Sequence, residues 1–384
     1  MMISGSLVMF SGGLIFPVFA PFVRTEFTAP VLLVGLAVSG YFIVRMFSEF
    51  PIGTLSDRIG PRKPLIVGRL LAITGAFMCY NATEVWQLII ARALWGVGDA
   101  AFFCIGMAYV ANLFSADRRG RTLGIFQGVT MTGSLLGQSG GGFIASILGI
   151  RTNFLASTVL GFVTLVMVSL VRGEQVQPTK NVLKGSLLPT KSTLLTILNR
   201  TVLLTCLINF LGMLRNNGLT STILPIYVTE EIKIPLAQYG IIMSASTIGS
   251  VSGNVIGGLF SDKIGRKKIL SIGFIIGTIS TFLLSLAGSF IQFIPIMYLN
   301  GVYWGIIYGT TPALIADSVP DNSQGMGIGT FRTFFDFGGL VGPIVFSSMV
   351  EYIGYPQGYT IAFYLGAMLL IINLFLALML KEKG

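Results

Sequence analysis

Gly53-Thr54-Leu55-Ser56-Asp57-Arg58-Ile59-Gly60-Pro61-Arg62-Lys63 is a hydrophilic stretch held between two long apolar runs, and it occurs twice. A further 205 residues along, the chain reads Gly258-Leu259-Phe260-Ser261-Asp262-Lys263-Ile264-Gly265-Arg266-Lys267-Lys268. A Gly–x–x–Ser–Asp–basic–Ile–Gly–x–basic–Lys pattern recurring at that distance marks a duplicated architecture. Glycine makes up 48 of 384 residues, so an ungapped shift of this size should match about three glycines by chance. Twelve match, among them Gly35 with Gly240, Gly96 with Gly301, Gly133 with Gly338 and Gly137 with Gly342. Pro30 with Pro235 and Asp57 with Asp262 hold the same register.

Hydrophobic residues are 53% of the chain and charged residues only 10%. Soluble domains carry about 25% charged residues, so the composition is that of an integral membrane protein. Apolar runs long enough to span a bilayer fall at roughly 3–23, 31–52, 64–82, 86–112, 122–148, 153–171, 201–228, 236–258, 266–288, 290–316, 325–350 and 357–380. That predicts an all-α polytopic protein of twelve transmembrane helices in two homologous six-helix bundles of the same orientation. Residues 172–200 form the longest polar interruption and divide residues 1–171 from 201–384. No cleavable signal is evident, because the first apolar run starts within a few residues and has no basic segment ahead of it.

The net charge of +10 is topological and calls for no nucleic acid. Seventeen Lys and Arg lie in the loops after even-numbered runs and at the C-terminal end, against three (Arg24, Arg151, Lys233) in the other loops. The positive-inside rule then places both termini in the cytoplasm of a multi-pass plasma-membrane protein. Locally, Arg24 behind the first run opposes that trend. Cys79, Cys104 and Cys206 all lie in apolar segments and there is no His. The three scattered thiols form neither a disulfide framework nor a metal site, and no cofactor is expected.

The two hydrophilic stretches resemble the loop signature of the major facilitator superfamily, G-x-L-x-D-R-x-G-R-[RK], and the resemblance covers the whole chain. The first copy carries it on Gly53, Asp57, Arg58, Gly60, Arg62 and Lys63, with Pro61 where the family has Arg. The second carries it on Gly258, Asp262, Lys263, Gly265, Arg266 and Lys267, with Phe260 for Leu. Arg92-x3-Gly96-x-Gly98 resembles the family's signature on the fourth helix. Gly124-x8-Gly133-x3-Gly137-Gln138-x2-Gly141-Gly142 resembles the fifth-helix signature of proton-coupled antiporters, with Gln138 in place of its Pro. What the resemblance implies is a 12-helix transporter of the drug/proton antiporter branch, acting by alternating access. It also implies gating by the loops: Asp57 would meet the start of the eleventh helix and Asp262 the start of the fifth, each carboxylate against a positive dipole end. The glycine stripe of the fifth helix equally suits close helix packing.

Ionisable residues inside spans are the functional leads, because burying charge in a bilayer costs several kcal/mol. They are Arg45, Arg69, Arg92, Arg215, Arg332, Glu49, Asp99 and Asp336. Asp99, Arg215 and Asp336 lie near the middle of their runs. Arg332 with Asp336 and Arg45 with Glu49 stand at the i, i+4 spacing that shares a helix face. Arg69 lies about one turn into its run, where a long side chain can snorkel. In the family, helices 1, 4, 7 and 10 surround a central cavity, which implies Asp99, with Arg92 two turns from it, facing Arg215-Asn216-Asn217. Phe102, Phe103, Tyr303, Trp304 and Tyr308 would add apolar surface there. A proton carrier is a carboxyl whose surroundings alternately favour and disfavour its charge; Asp99 and Asp336 lead, with Glu49 third.

The expected activity is proton-coupled efflux of a small organic solute by a monomer in the lipid bilayer. The excess of intramembrane cations keeps an organic anion–proton symporter open as an alternative, and a transporter-like receptor is the reading from another class. Nothing in the motifs supplies the catalytic cluster of an enzyme.

Overall fold

The structure, a computed structural model, describes residues 1–112, 116–170, 199–319 and 324–380. Among these residues there are twelve long helices and no strand: α1 (Met2–Glu26), α2 (Val31–Ile59), α3 (Arg62–Asn81), α4 (Val85–Asn112), α5 (Ala116–Leu148), α6 (Arg151–Ser169), α7 (Arg200–Glu231), α8 (Leu236–Ile264), α9 (Arg266–Leu284), α10 (Phe290–Ser318), α11 (Gln324–Ile353) and α12 (Gln357–Leu378). By length and composition ten are able to cross a membrane. The other two, α5 and α8, are as long, but Gly, Ser and Thr dilute their apolar content.

The helices at the repeated signature are longer than the apolar runs. Gly53 to Ile59 forms the end of α2, and Gly258 to Ile264 ends α8. Polar residues leaving the bilayer need not leave the helix. The chain turns only at Gly60 (φ 84°) and Gly265 (φ 103°), where a Cβ would be strained.

The chain forms two compact units. The first contains the described residues up to 170 and also Pro235–Gly240; the second contains residues 199–234 and those from Ile241 onward. The first turn of α8 thus groups with the first unit, where the backbones of Gly142 and Gly240 meet; chain order alone would have put it in the second.

Inside the first unit α1 packs on α5 and α6, α2 on α4, and α3 on α4 and α6. The second unit repeats this: α7 packs on α11 and α12, α8 on α10, and α9 on α10 and α12. Paired glycines make the closest approaches. A β-carbon at Gly133 or Gly137 would strike the carbonyl oxygen of Ser6 or Phe10 on α1, and one at Gly338 or Gly342 would strike that of Phe210 or Leu214 on α7. Gly96 stands in the same way against Tyr41, and Gly301 against Ser246. Helices this close gain dispersion contacts that lipid tails do not offer.

Two helices depart from regular geometry. Pro17 has no N–H, and the break between Met2–Ile15 and Phe19–Glu26 leaves Val18 N bonded to Ile15 O rather than Leu14 O. The released Leu14 carbonyl accepts a 2.9 Å bond from Asn153 Nδ2 of α6, which also donates to Gly141 O of α5 at 2.8 Å. In α7 the turns widen to π-helix over Asn216–Ile223 and again over Tyr227–Glu231.

Gly137→Ala forces its β-carbon onto Phe10, and overpacking of this kind costs about 1–3 kcal/mol, so the purified protein should melt at a lower temperature. Gly12→Ala, where nothing lies within 4 Å of the new carbon, should leave the melting temperature unchanged.

Candidate functional site

Asp99 projects from the middle of α4 into the first unit and is 4% exposed. Both of its oxygens are engaged by neighbouring helices. Arg69 of α3 donates from a terminal guanidinium nitrogen to Oδ1 at 3.3 Å, and Tyr41 of α2 donates its hydroxyl to Oδ2 at 3.0 Å. Arg69 is itself 2% exposed and lies over the ring of Phe102 at 5.6 Å. It is an ion-pair partner, not the snorkelling residue its place near a helix end suggested. A buried pair of this kind holds three helices in register, and its attraction is not weakened by water.

Arg92, two turns from Asp99 on α4, forms no ion pair with it. Its guanidinium lies over the rings of Phe19 and Tyr41, at 4.8 Å from each centroid, and at 5.8 Å from that of Trp95. Tyr41 thus connects the two α4 residues, its ring against Arg92 and its hydroxyl on Asp99. Glu49 belongs to a separate pair with Arg45 at 3.5 Å, both side chains mostly buried, and Arg45 reaches the Tyr41 ring at 5.8 Å.

The second unit corrects the expectation for Arg215. This side chain is fully buried inside its own unit and lines no opening. It donates to Thr220 Oγ1 at 3.1 Å and Asn300 Oδ1 at 3.3 Å, and also to Thr281 Oγ1, with its guanidinium 5.5 Å from the Tyr303 ring. The widened turn explains the first of these bonds, because residues five apart are brought into line by π geometry. Neutral oxygens from α7, α9 and α10 therefore share one cation. Asn217 is buried and accepts from Ser221 at 3.2 Å, while Asn216 accepts at its carbonyl from the same hydroxyl. Phe102 and Tyr303 are fully buried, not surface-forming, because each lies under an arginine.

On α11, Asp336 is buried and Arg332 half-buried one turn away, and both engage neighbouring groups. The side chains of Asp57 and Asp262, the loop residues 113–115 and 320–323, and the side chains at the starts of α5 and α11 (Gly124 included) lie outside the described residues; so does the proposed latch. Arg58, Arg62, Lys63 and Lys263 are exposed, Lys267 is half-buried, and Arg266 pairs with Asp317 at 2.8 Å. Of the α5 stripe, Gly133, Gly137 and Gly141 all meet α1 backbone, and Gln138 donates to Ser134 one turn back at 3.0 Å. Close packing accounts for these glycines.

Sequence reasoning missed two things, the pairing of Arg69 with Asp99 and the part played by Tyr41. A signal existed for the first: an arginine within a span needs an acid at matching depth on an adjacent antiparallel helix. Nothing in the sequence distinguishes Tyr41 from the other tyrosines.

The family model of the Major Facilitator Superfamily matches residues 1–216 and 206–384. The chain belongs to that superfamily. It is 28% identical over 327 residues to the multi-drug resistance efflux pump PmrA of Streptococcus pneumoniae, covering 84% of this chain and 80% of the relative. It is 24% identical to multidrug resistance protein 2 of Bacillus subtilis, covering 100% and 94%. A crystal structure of the nucleoside transporter NupG superimposes with a TM-score of 0.80 at 14% identity, covering 98% of each chain, which shows the shared fold. The protein is a multi-pass membrane transporter and not an enzyme.

Removing one member of the buried pair should expose what it contributes. Arg69→Ala leaves the Asp99 charge without its partner and should destabilise the protein by about 3–5 kcal/mol. The double variant Arg69→Gln/Asp99→Asn should recover part of that loss, measured as melting temperature in detergent. For the other cation, Arg215→Lys keeps the charge but cannot fork to three acceptors. It should lower the melting temperature by the loss of one or two buried hydrogen bonds, about 1–3 kcal/mol.

Proposed function

We propose that this transporter is a plasma-membrane antiporter with both termini in the cytoplasm. It exports a small organic solute by alternating access, as a monomer, in exchange for protons. Asp99 carrying both Arg69 and Tyr41 inside one unit is the observation that supports this best. A carboxylate shared by a cation and a phenol holds its charge at low dielectric only while both partners stay in place. A shift of α2 or α3 against α4 would separate them, and the isolated carboxyl would then take up a proton; the reverse shift would release it. Asp99 is the proton carrier in this reading, Arg69 its alternating partner and Tyr41 the group that reports helix position. Asp336, buried at mid-span in the other unit, is the second carboxyl proposed for this role.

Efflux is favoured over uptake by the similarity to the efflux pump PmrA, which the chain matches over most of its length. The α5 signature gives less support than its sequence suggested, since packing explains its glycines.

The test is lumenal pH in proteoliposomes, recorded while an aromatic sulfonate or a quaternary aromatic ammonium ion is added outside. Neither probe crosses a bilayer as a neutral species, so any proton flux belongs to the protein. Antiport alkalinises the lumen, and Asp99→Asn should abolish the signal. Acidification would make the protein a symporter, and a signal that survives Asp99→Asn would remove Asp99 from the coupling path.

A further inference from the structure

Arg92 is the one membrane-embedded cation described here whose hydrogen bonds go nowhere. No described residue accepts from any of its N–H groups, and its Nε is buried without a partner. Arg69 has a carboxylate and Arg215 has three oxygens; Arg92 has only the faces of Phe19, Tyr41 and Trp95. Ring faces attract a guanidinium through its π surface. They fix its plane and leave the donor edge, where five N–H groups point outward, unmatched.

The side chain is also placed where a ligand can reach it. Arg92 follows Ile90 by two residues, about 200° round the helix, and Ile90 faces outward at 45% exposure. The guanidinium is therefore turned away from the lipid-facing side of α4; the residue is half-buried, and of the three guanidinium nitrogens Nε is the one sealed in without a partner. A caged, oriented cation with an open donor edge and aromatic walls is built to receive two oxygens in one plane.

We infer that Arg92 is the anion-recognition point for the transported solute, and that the solute class is a small organic anion with a planar carboxylate on an aromatic or other apolar body. The carboxylate pairs with the open edge of the guanidinium, and the apolar body lies against the neighbouring aromatic side chains. This rests on the transport reading above and adds a substrate class to it. The shared Tyr41 gives a physical route to coupling: an anion that draws Arg92 away from the Tyr41 ring disturbs the same residue that holds Asp99.

Equilibrium binding tests this without any proton measurement. The chain has three Trp, at 86, 95 and 304, so Trp86→Phe/Trp304→Phe leaves Trp95 beside Arg92 as the only indole. Benzoate, benzamide and benzamidinium share one shape and differ in charge. With the detergent-purified protein, benzoate should change Trp95 fluorescence saturably, and the other two should not. Arg92→Gln should abolish the change, and Arg92→Lys, which keeps the charge without the fork, should weaken binding about tenfold. If Arg92→Gln does not fold, Arg92→Lys decides. Equal binding of benzamide, unchanged affinity in Arg92→Lys, or no saturable signal up to about 10 mM benzoate would overturn the inference. Asp99→Asn separates the two proposals: it should abolish proton movement, whereas benzoate binding should stay saturable even though its affinity shifts through the shared Tyr41. Proton movement that survives Asp99→Asn alongside intact binding would sink the coupling proposal and leave this one standing.

Discussion

A chain crossing lipid has no water to bond with, so each backbone or side-chain polar group released from the helical ladder must find a partner in the protein. That constraint organises what is seen here. Pro17 interrupts α1, and Asn153 of α6 supplies the missing donor while also bonding to α5. One asparagine thereby ties three helices together. The widened turns of α7 are handled in the same way, with Ser221 and Thr222 donating to the Asn216 and Asn217 carbonyls. Helices can bend or widen inside a bilayer when a neighbour provides the hydrogen bond.

Charge follows the same rule at higher stakes, and the two units meet it differently. The first neutralises Arg69 with Asp99 and fills the second carboxylate oxygen with Tyr41. The second spreads Arg215 over neutral oxygens from α7, α9 and α10, with Tyr303 beneath it. An ion pair has two states, paired and parted, and a proton can exchange between them. An arginine held by hydroxyls and an amide has no titrating partner and is a strut. The two otherwise repeated bundles therefore differ here: the first holds a buried ion pair, and this part of the second holds a cation on neutral oxygens. Arg92 fits neither pattern, which is why it reads as a site for something brought from outside.

Helix number and the duplication were legible in the sequence because each is periodic or compositional. The bilayer demands runs of about 20 apolar residues, and the 205-residue repeat is visible in glycines alone. The mid-span positions of Asp99, Arg215 and Asp336 could be read by counting along each run. The orientation of those side chains could not be counted. Arg215 was expected to face an opening, and its place inside the bundle depends on a π turn that nothing local announces. Arg69 looked like a residue at a helix end because snorkelling is judged from one helix, whereas its carboxylate belongs to another.

The sequence by itself determined an all-helical membrane protein with two homologous halves, because apolar run length and the glycine repeat are both read directly along the chain. Only the tertiary structure decided which polar groups meet. Tyr41, Arg69 and Asp99 come from three helices, separated by 28 and 30 residues, and their contact depends on glycine-mediated approaches that set the helix spacing. Pairing in a bundle is a property of helix rotation and separation, and both are fixed by neighbours rather than by the helix itself.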